Sequence, residues 1–318
     1  MKKYLIKALV FIVGLFCLDR MAFTVLQSQR PSDYAAFLDA KRTFFRKQGR
    51  YDMLIFGDSH VADAIDPRTL RLYGMEAYNL GVYHASPYEI YHLAASALRR
   101  MKVMPKYVVL GTNPIMFMRK LRIGKYTPLI IRDDFIDYSS LVINSEDGHS
   151  IRTLFYSAQE KYLLQYMLKK VIGIKYHPTR EIQSINNGHL EFYNQMPGVS
   201  WDGGAEEADL SRANPLQIEF FVKTIDFLQN HNIKVLVVNL PLWQEREKKL
   251  RGTGGLGEFE QILSRICKEK GVYLVNPNHE LATGVLKKED YLNAEHLNYK
   301  GAVKFSHELA VQIDMLPH

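Results

Sequence analysis

Five short apolar runs constrain this chain more than any other feature: Met53 to Phe56, Ala77 to Val82, Tyr107 to Leu110, Lys234 to Leu240 and Val272 to Val275. Runs of this length that do not alternate with polar residues fit strands buried on both faces. Helical patterns separate them, near Tyr88 to Met104, Pro215 to Asn230, Phe259 to Glu269 and Lys300 to Ile313. This alternation predicts a flavodoxin-like three-layer α/β/α arrangement, with a five-stranded parallel sheet covered by helices on both sides. A chain of 318 residues, 47% hydrophobic, is long enough to bury such a core.

Two regions stand outside that rhythm. At the start, Lys2, Lys3 and Lys7 precede the uncharged run Ala8 to Leu18, then Asp19 and Arg20 and the run Met21 to Leu26. A basic segment followed by an apolar one, with no small residues placed for cleavage around Leu26 to Ser28, reads as an uncleaved N-terminal membrane helix over residues 1–28. The domain behind it is then expected on the extracytoplasmic side. A connecting amphipathic helix is expected within 29–50, where Tyr34, Phe37, Leu38, Phe44 and Phe45 alternate with charges, ahead of the main domain at 51–318. The second region, 118–212, lies after the third strand and is rich in Tyr, Gly and charge, with a helical pattern at Ser157 to Val171. An unpatterned segment that long reads as an insertion capping the sheet.

Composition narrows the class further. The formal charge of +7 is spread through pairs such as Arg99 and Arg100 or Lys248 and Lys249, and no nucleic-acid motif accompanies it. Solvated faces explain it, so no nucleic-acid partner is expected. Two cysteines, Cys17 and Cys267, exclude a disulfide framework or a thiolate metal site. His60, His84, His231 and His279 lack the spacing of a metal helix, so no metal is expected. Gly252-Thr253-Gly254-Gly255-Leu256-Gly257 does not follow a strand directly and lacks the Lys-Ser/Thr ending of a phosphate loop, so it reads as a flexible loop and no cofactor is expected.

The chemistry concentrates at strand ends, where parallel α/β sheets bind ligands. The first strand closes on Phe56-Gly57-Asp58-Ser59-His60, the second on Asn79-Leu80-Gly81 and the third on Gly111-Thr112-Asn113-Pro114. The last helix is preceded by Asn293-Ala294-Glu295-His296-Leu297-Asn298. Singly, a serine here is an N-cap, a glycine a close approach and an asparagine a turn residue. Their order along the chain is what sets them apart.

This set resembles the four blocks of the SGNH/GDSL hydrolase superfamily over the core from about Met53 to Asp314. The resemblance implies Ser59 as nucleophile, His296 as its base, and an oxyanion hole formed by the Ser59 and Gly81 N–H groups with the Asn113 side chain. Such donors stabilise the tetrahedral oxyanion of acyl transfer, and removing one typically lowers the rate by about 10²–10³. The chain departs from the pattern at Asn293, where the superfamily usually has an aspartate. Asparagine can orient an imidazole but cannot stabilise its cation by charge, which leaves Asp290, Glu295 or a main-chain carbonyl as further supports. Asp58 reads as a loop-fixing residue.

With an N-terminal anchor, the core is similar to extracytoplasmic proteins that add or remove acyl groups on envelope polymers. The resemblance implies an esterase or O-acyltransferase working through an acyl-Ser59 intermediate on an acylated carbohydrate or other ester, alongside a membrane-bound acyl donor protein. A tethered scaffold with little catalysis and a soluble lipase or thioesterase are the alternatives.

Overall fold

The computed structural model describes residues 32–47, 49–118, 184–192, 213–276 and 285–316, with scattered positions within 4–21 and at 127 and 130. The sheet consists of β1 (Met53–Phe56), β2 (Ala77–Asn79), β3 (Tyr107–Thr112), β6 (Lys234–Asn239) and β7 (Tyr273–Val275), all parallel, in the order β2-β1-β3-β6-β7. The chain thus enters at an interior strand, moves to one edge, then crosses back over β1 and continues outward. The two crossovers from β1 and to β3 diverge there, opening a crevice at the carboxyl ends of β1 and β3.

The strand residues sort by alternation into two apolar layers. Leu54, Phe56, Val108, Leu110, Val235 and Val237 face one layer with α1 (Ser32–Lys47), α4 (Pro87–Arg100), α6 (Pro215–Gln229) and α8 (Gly255–Lys270). Met53, Ile55, Val109, Leu236 and Val238 face the other, against α2 (Ser59–Ala64), α3 (Pro67–Arg71) and α9 (Tyr299–Asp314). Apolar residues on both faces are why these strands read as unbroken runs. α4 begins on a capping box between Ser86 and Glu89, with Pro87 in its first turn. α5 (Pro114–Met118) follows β3, and α7 (Gln244–Gly252) follows β6.

Several expectations change in detail. α4 ends at Arg100, with Met101 extended as its C-cap, so the apolar residues up to Met104 do not continue it. The segment expected as a flexible loop, 252–257, instead ends α7 and starts α8: Gly254 adopts positive φ between the two helices and Gly255 opens the second. The charged α7 buries only Arg246 and Leu250, so no apolar stripe marked it in advance.

Within the expected insertion 118–212, the structure describes a hairpin, β4 (Ser184–Asn186) and β5 (His189–Glu191). Its turn residues Asn187 and Gly188 both have positive φ, as a two-residue hairpin turn requires. Asn79 N–H donates to Asn187 O (2.8 Å), His189 Nε2–H donates to Asp63 O (3.1 Å), and Arg68 pairs with Glu191. The hairpin therefore covers the open edge at β2 and braces α2. The helical pattern at Ser157 to Val171 lies outside the described residues. So does most of the expected anchor at 1–28, and among the described residues no helix is long and apolar enough to cross a membrane.

Candidate active site

β1 ends in a turn that sets Ser59 at the first position of α2. Asp58 caps the helix, its Oδ1 accepting from His60 N–H (3.0 Å). Helix geometry leaves the Ser59 N–H outside the intrahelical ladder. The turn after β2 stays paired to the end of β1, with Leu80 N–H donating to Ile55 O (2.7 Å) and Val82 N–H to Gly57 O (2.9 Å). That pairing brings Gly81 against α2 so closely that a β-carbon there would lie 2.6 Å from Ala62 N. Asn113, at the end of β3, uses its Oδ1 to accept from Met116 N–H (3.2 Å) and its Nδ2 to donate to Asp58 Oδ2 (2.9 Å).

The fourth block arrives from the loop ahead of α9, in the same layer as α2. Tyr291 and Leu297 form an antiparallel bridge that closes a loop over residues 291–297, and Leu292 N–H donates to His296 O (2.8 Å) across it. Tyr291 O–H donates to Leu242 O (3.1 Å), and Trp243 N–H donates to Ala294 O (3.0 Å), tying the loop to the segment after β6. Asn298 then caps α9 through Gly301 N–H. This frame places His296 Nε2 3.0 Å from Ser59 Oγ. Ser59 and His296 come from positions 237 residues apart.

Asn293 Oδ1 stands 3.0 Å from His296 Nδ1. The same oxygen accepts from Glu295 N–H and His296 N–H, both at 2.9 Å. Two backbone donors aimed at one atom establish that atom as the amide oxygen, since an NH2 group there would face two N–H groups. An oxygen opposite Nδ1 in turn requires Nδ1 to carry the proton, which leaves Nε2 free to accept from Ser59. The amide therefore sets the Nδ1-protonated tautomer. An Asp-to-Asn change in a serine protease lowers kcat by about 10⁴ because the tautomer is wrong; here only the carboxylate charge is missing.

The other expected supports are turned elsewhere. Asp290 is buried, accepts from Lys287 N–H (2.7 Å) and pairs with Lys304 (2.7 Å). Glu295 Oε1 accepts from Arg246 Nε–H at 2.8 Å. Of the three expected oxyanion donors, the Gly81 N–H is engaged within its own turn, donating to Asn79 Oδ1 at 2.9 Å.

Sequence reasoning passed over His60 and Arg246. His60 is buried, and its ring stacks on that of His296, with centroids 4.3 Å apart and planes 15° from parallel. Its Nδ1 meets Asp58 Oδ1 at 3.0 Å, and its Nε2 lies 3.8 Å from Glu295 Oε2, an ion-pair rather than a hydrogen-bond distance. Burial opposes a charge on this ring. The Asp58 carboxylate, by charge and hydrogen bond, and Glu295 outweigh it and hold the pKa up at about 9. Burial likewise opposes the Glu295 charge, but His60 and Arg246 keep that carboxyl below its usual range. The signal for His60 was its place directly after the serine; Arg246 offered none.

Donor atoms of His60, Glu295 and His296 lie within 4.8 Å of one another. They do not suit a metal ion. Two nearly parallel stacked rings direct their in-plane lone pairs side by side rather than to a common point, and a ligating ring must be neutral at the donor nitrogen.

No protein-family model and no curated protein matches the chain. Solved structures with similar folds include a Bacteroides fragilis protein described as an acylhydrolase, at 8% identity and TM-score 0.42, covering 86% of this chain and 94% of that one. A Desulfitobacterium hafniense protein described as lipolytic and of the G-D-S-L family is similar at 12% identity and TM-score 0.39, covering 82% and 99%. A GDSL-like lipase of Bacteroides thetaiotaomicron is similar at 10% identity and TM-score 0.37, covering 88% and 100%. The geometry itself is a hydrogen-bonded Ser59-His296-Asn293 row at the carboxyl end of a parallel α/β sheet.

Proposed function

We propose that the protein is a serine-dependent esterase or O-acyltransferase. The reading rests on one observation: Ser59 Oγ lies 3.0 Å from a His296 Nε2 whose tautomer is set by Asn293 Oδ1. As Oγ attacks an ester carbonyl, its proton passes to Nε2 and the carbonyl oxygen takes up negative charge. The Ser59 N–H and the second hydrogen of Asn113 Nδ2, whose first goes to Asp58, are the donors that oxyanion needs. Gly81 joins them only if its N–H leaves the Asn79 side chain. Collapse expels the alkoxide, which receives the proton from His296, and leaves acyl-Ser59. Water or an acceptor hydroxyl, deprotonated by His296, then attacks the acyl carbon, the bond to Ser59 Oγ breaks, and His296 returns the proton to Oγ.

The lysines and apolar run at the N-terminus support a membrane-tethered enzyme on the extracytoplasmic side, and that placement suits an acylated envelope carbohydrate as substrate. The expected test is labelling by a fluorophosphonate probe: wild type labels, and Ser59→Ala and His296→Ala do not. Equal labelling of wild type and a folded Ser59→Ala protein overturns the assignment. No labelling at all favours a tethered scaffold.

A further inference from the structure

His60 is the buried titratable group that touches the base without belonging to the triad. It is held at both nitrogens. Asp58, in the turn before α2, takes Nδ1 at 3.0 Å, and Glu295, in the loop before α9, faces Nε2 at 3.8 Å. Arg246, from α7, stands behind Glu295 at 2.8 Å, and His296 covers the ring face at 4.3 Å. Asn113 Nδ2 lies 3.2 Å from Nδ1, but the two do not bond each other. Each donates to a different oxygen of Asp58, at 2.9 and 3.0 Å. The Asp58 carboxylate thus aligns an oxyanion donor and the His60 ring together.

A ring so gripped cannot rotate without breaking an ion pair on either side, so it presents a rigid plane for His296 to lie on. It also presents a positive charge face to face with the base. Two cations in that geometry repel strongly in a site shielded from water. We propose that His60 is a positioning residue for the catalytic base: its clamped cationic ring sets the plane of His296 by stacking and disfavours a proton there, keeping His296 a neutral base. Asn293 orients the ring without attracting a proton to it, and His60 pushes in the same sense. The imidazolium formed during attack is consequently a stronger acid and returns its proton readily to the departing alkoxide. The proposal rests on the Ser59–His296 reading.

The test follows the rate of fluorophosphonate labelling at Ser59 against pH, in proteins whose folding is verified by thermal melting. His60→Phe keeps an aromatic plane and removes the charge, and its acid limb should move up by about one pH unit relative to wild type. Glu295→Gln removes the neighbouring negative charge while keeping an acceptor for Arg246, and its limb should move down. Opposite shifts from two neighbours are what a purely structural role does not produce. If His60→Phe melts below the assay temperature, His60→Gln, which retains a hydrogen bond to Asp58, replaces it with the same expected direction. NMR titration of the His296 ring in Ser59→Ala and in Ser59→Ala with His60→Phe reads the same shift without turnover. Limbs and titrations that stay within about 0.2 units of the parent, well inside the scatter of ordinary site-to-site variation, overturn the proposal while the labelling itself leaves the catalytic reading standing. Absence of labelling in wild type with a shifted His296 titration does the reverse.

Discussion

Two buried cations flank the carboxyl end of this sheet, and they meet opposite fates. His60 is nearly inaccessible, yet its pKa is held up at about 9 because carboxylates face both nitrogens. Lys41, on α1, is fully buried too, but its Nζ donates to two carbonyls, Asn79 O at 3.0 Å and Gly188 O at 2.6 Å. Burial pushes the Lys41 pKa down to about 7, and Asp63 offsets this only in part. Burial penalises charge in both places; the neighbours decide whether the charge survives. Carboxylates facing both nitrogens make a buried imidazole a fixed cation, whereas two carbonyl dipoles, with Asp63 offsetting burial only in part, leave a buried amine with its pKa at about 7. The first arrangement suits a site that works through charge. The second suits a clamp, here joining α1, the end of β2 and the hairpin.

The comparison breaks most visibly at Asp58, which caps α2, pairs with His60 and anchors Asn113. Asp58→Ala removes the carboxylate bonded to this buried ring, leaving only Glu295 at 3.8 Å, and is expected to lose about 3–5 kcal/mol in urea denaturation at neutral pH. A loss below about 1 kcal/mol, the scale of a single helix cap, would show that His60 is not a cation held by this carboxylate. Lys41→Met removes the donor and leaves two buried carbonyls without it. Its expected loss is smaller, about 1–3 kcal/mol, because the variant also no longer buries an amine. A stabilised Lys41→Met protein would mean that the clamp is a liability rather than a tie.

In the pH dependence the two groups act with opposite sign, so their slopes largely cancel and the net change in the wild type between pH 7 and 9 is the smallest effect. The folded-state pKa of His60, about 9, lies above its ordinary 6.5, so its contribution is complete below pH 6.5 and is lost as pH rises through 9. The folded-state pKa of Lys41, about 7, lies below its ordinary 10.5, so the penalty for its charge is complete below pH 7 and is relieved as pH rises towards 10.5. Between pH 7 and 9 the two slopes oppose each other. Denaturation across pH should show the wild type gaining on Lys41→Met as pH rises from 7, and losing ground to His60→Gln from 6.5 to 9. Parallel curves for either pair would remove that residue from the account.

Much of the fold was legible because a parallel sheet buried on both faces writes itself as short apolar runs. β1 matches its run residue for residue, and β6 stops one residue short of its own. The run Ala77 to Val82 outlasts β2, which ends at Asn79, because Leu80 to Val82 pair with β1 through a turn rather than as strand. α7 was not legible, since its buried face is a single Leu with an Arg. In the site, block order pointed to Ser59, His296 and Asn113, and the structure sets Ser59 against His296 and Asn113 against Asp58, while the Gly81 N–H expected to face an oxyanion donates to Asn79 Oδ1.

By itself the sequence determined where Ser59, Asn113 and His296 fall relative to strand ends, and that the residue three before His296 is an uncharged asparagine. Those are properties of covalent order and local periodicity, which need no partner to be read. Only the tertiary structure decided which atom of Asn293 faces His296, that His60 lies flat on the His296 ring, and that an arginine 49 residues away holds Glu295. Orientation and pairing depend on which donors and charges converge once water is excluded. That convergence is created by packing a loop from one layer of the sheet against a helix start from another strand.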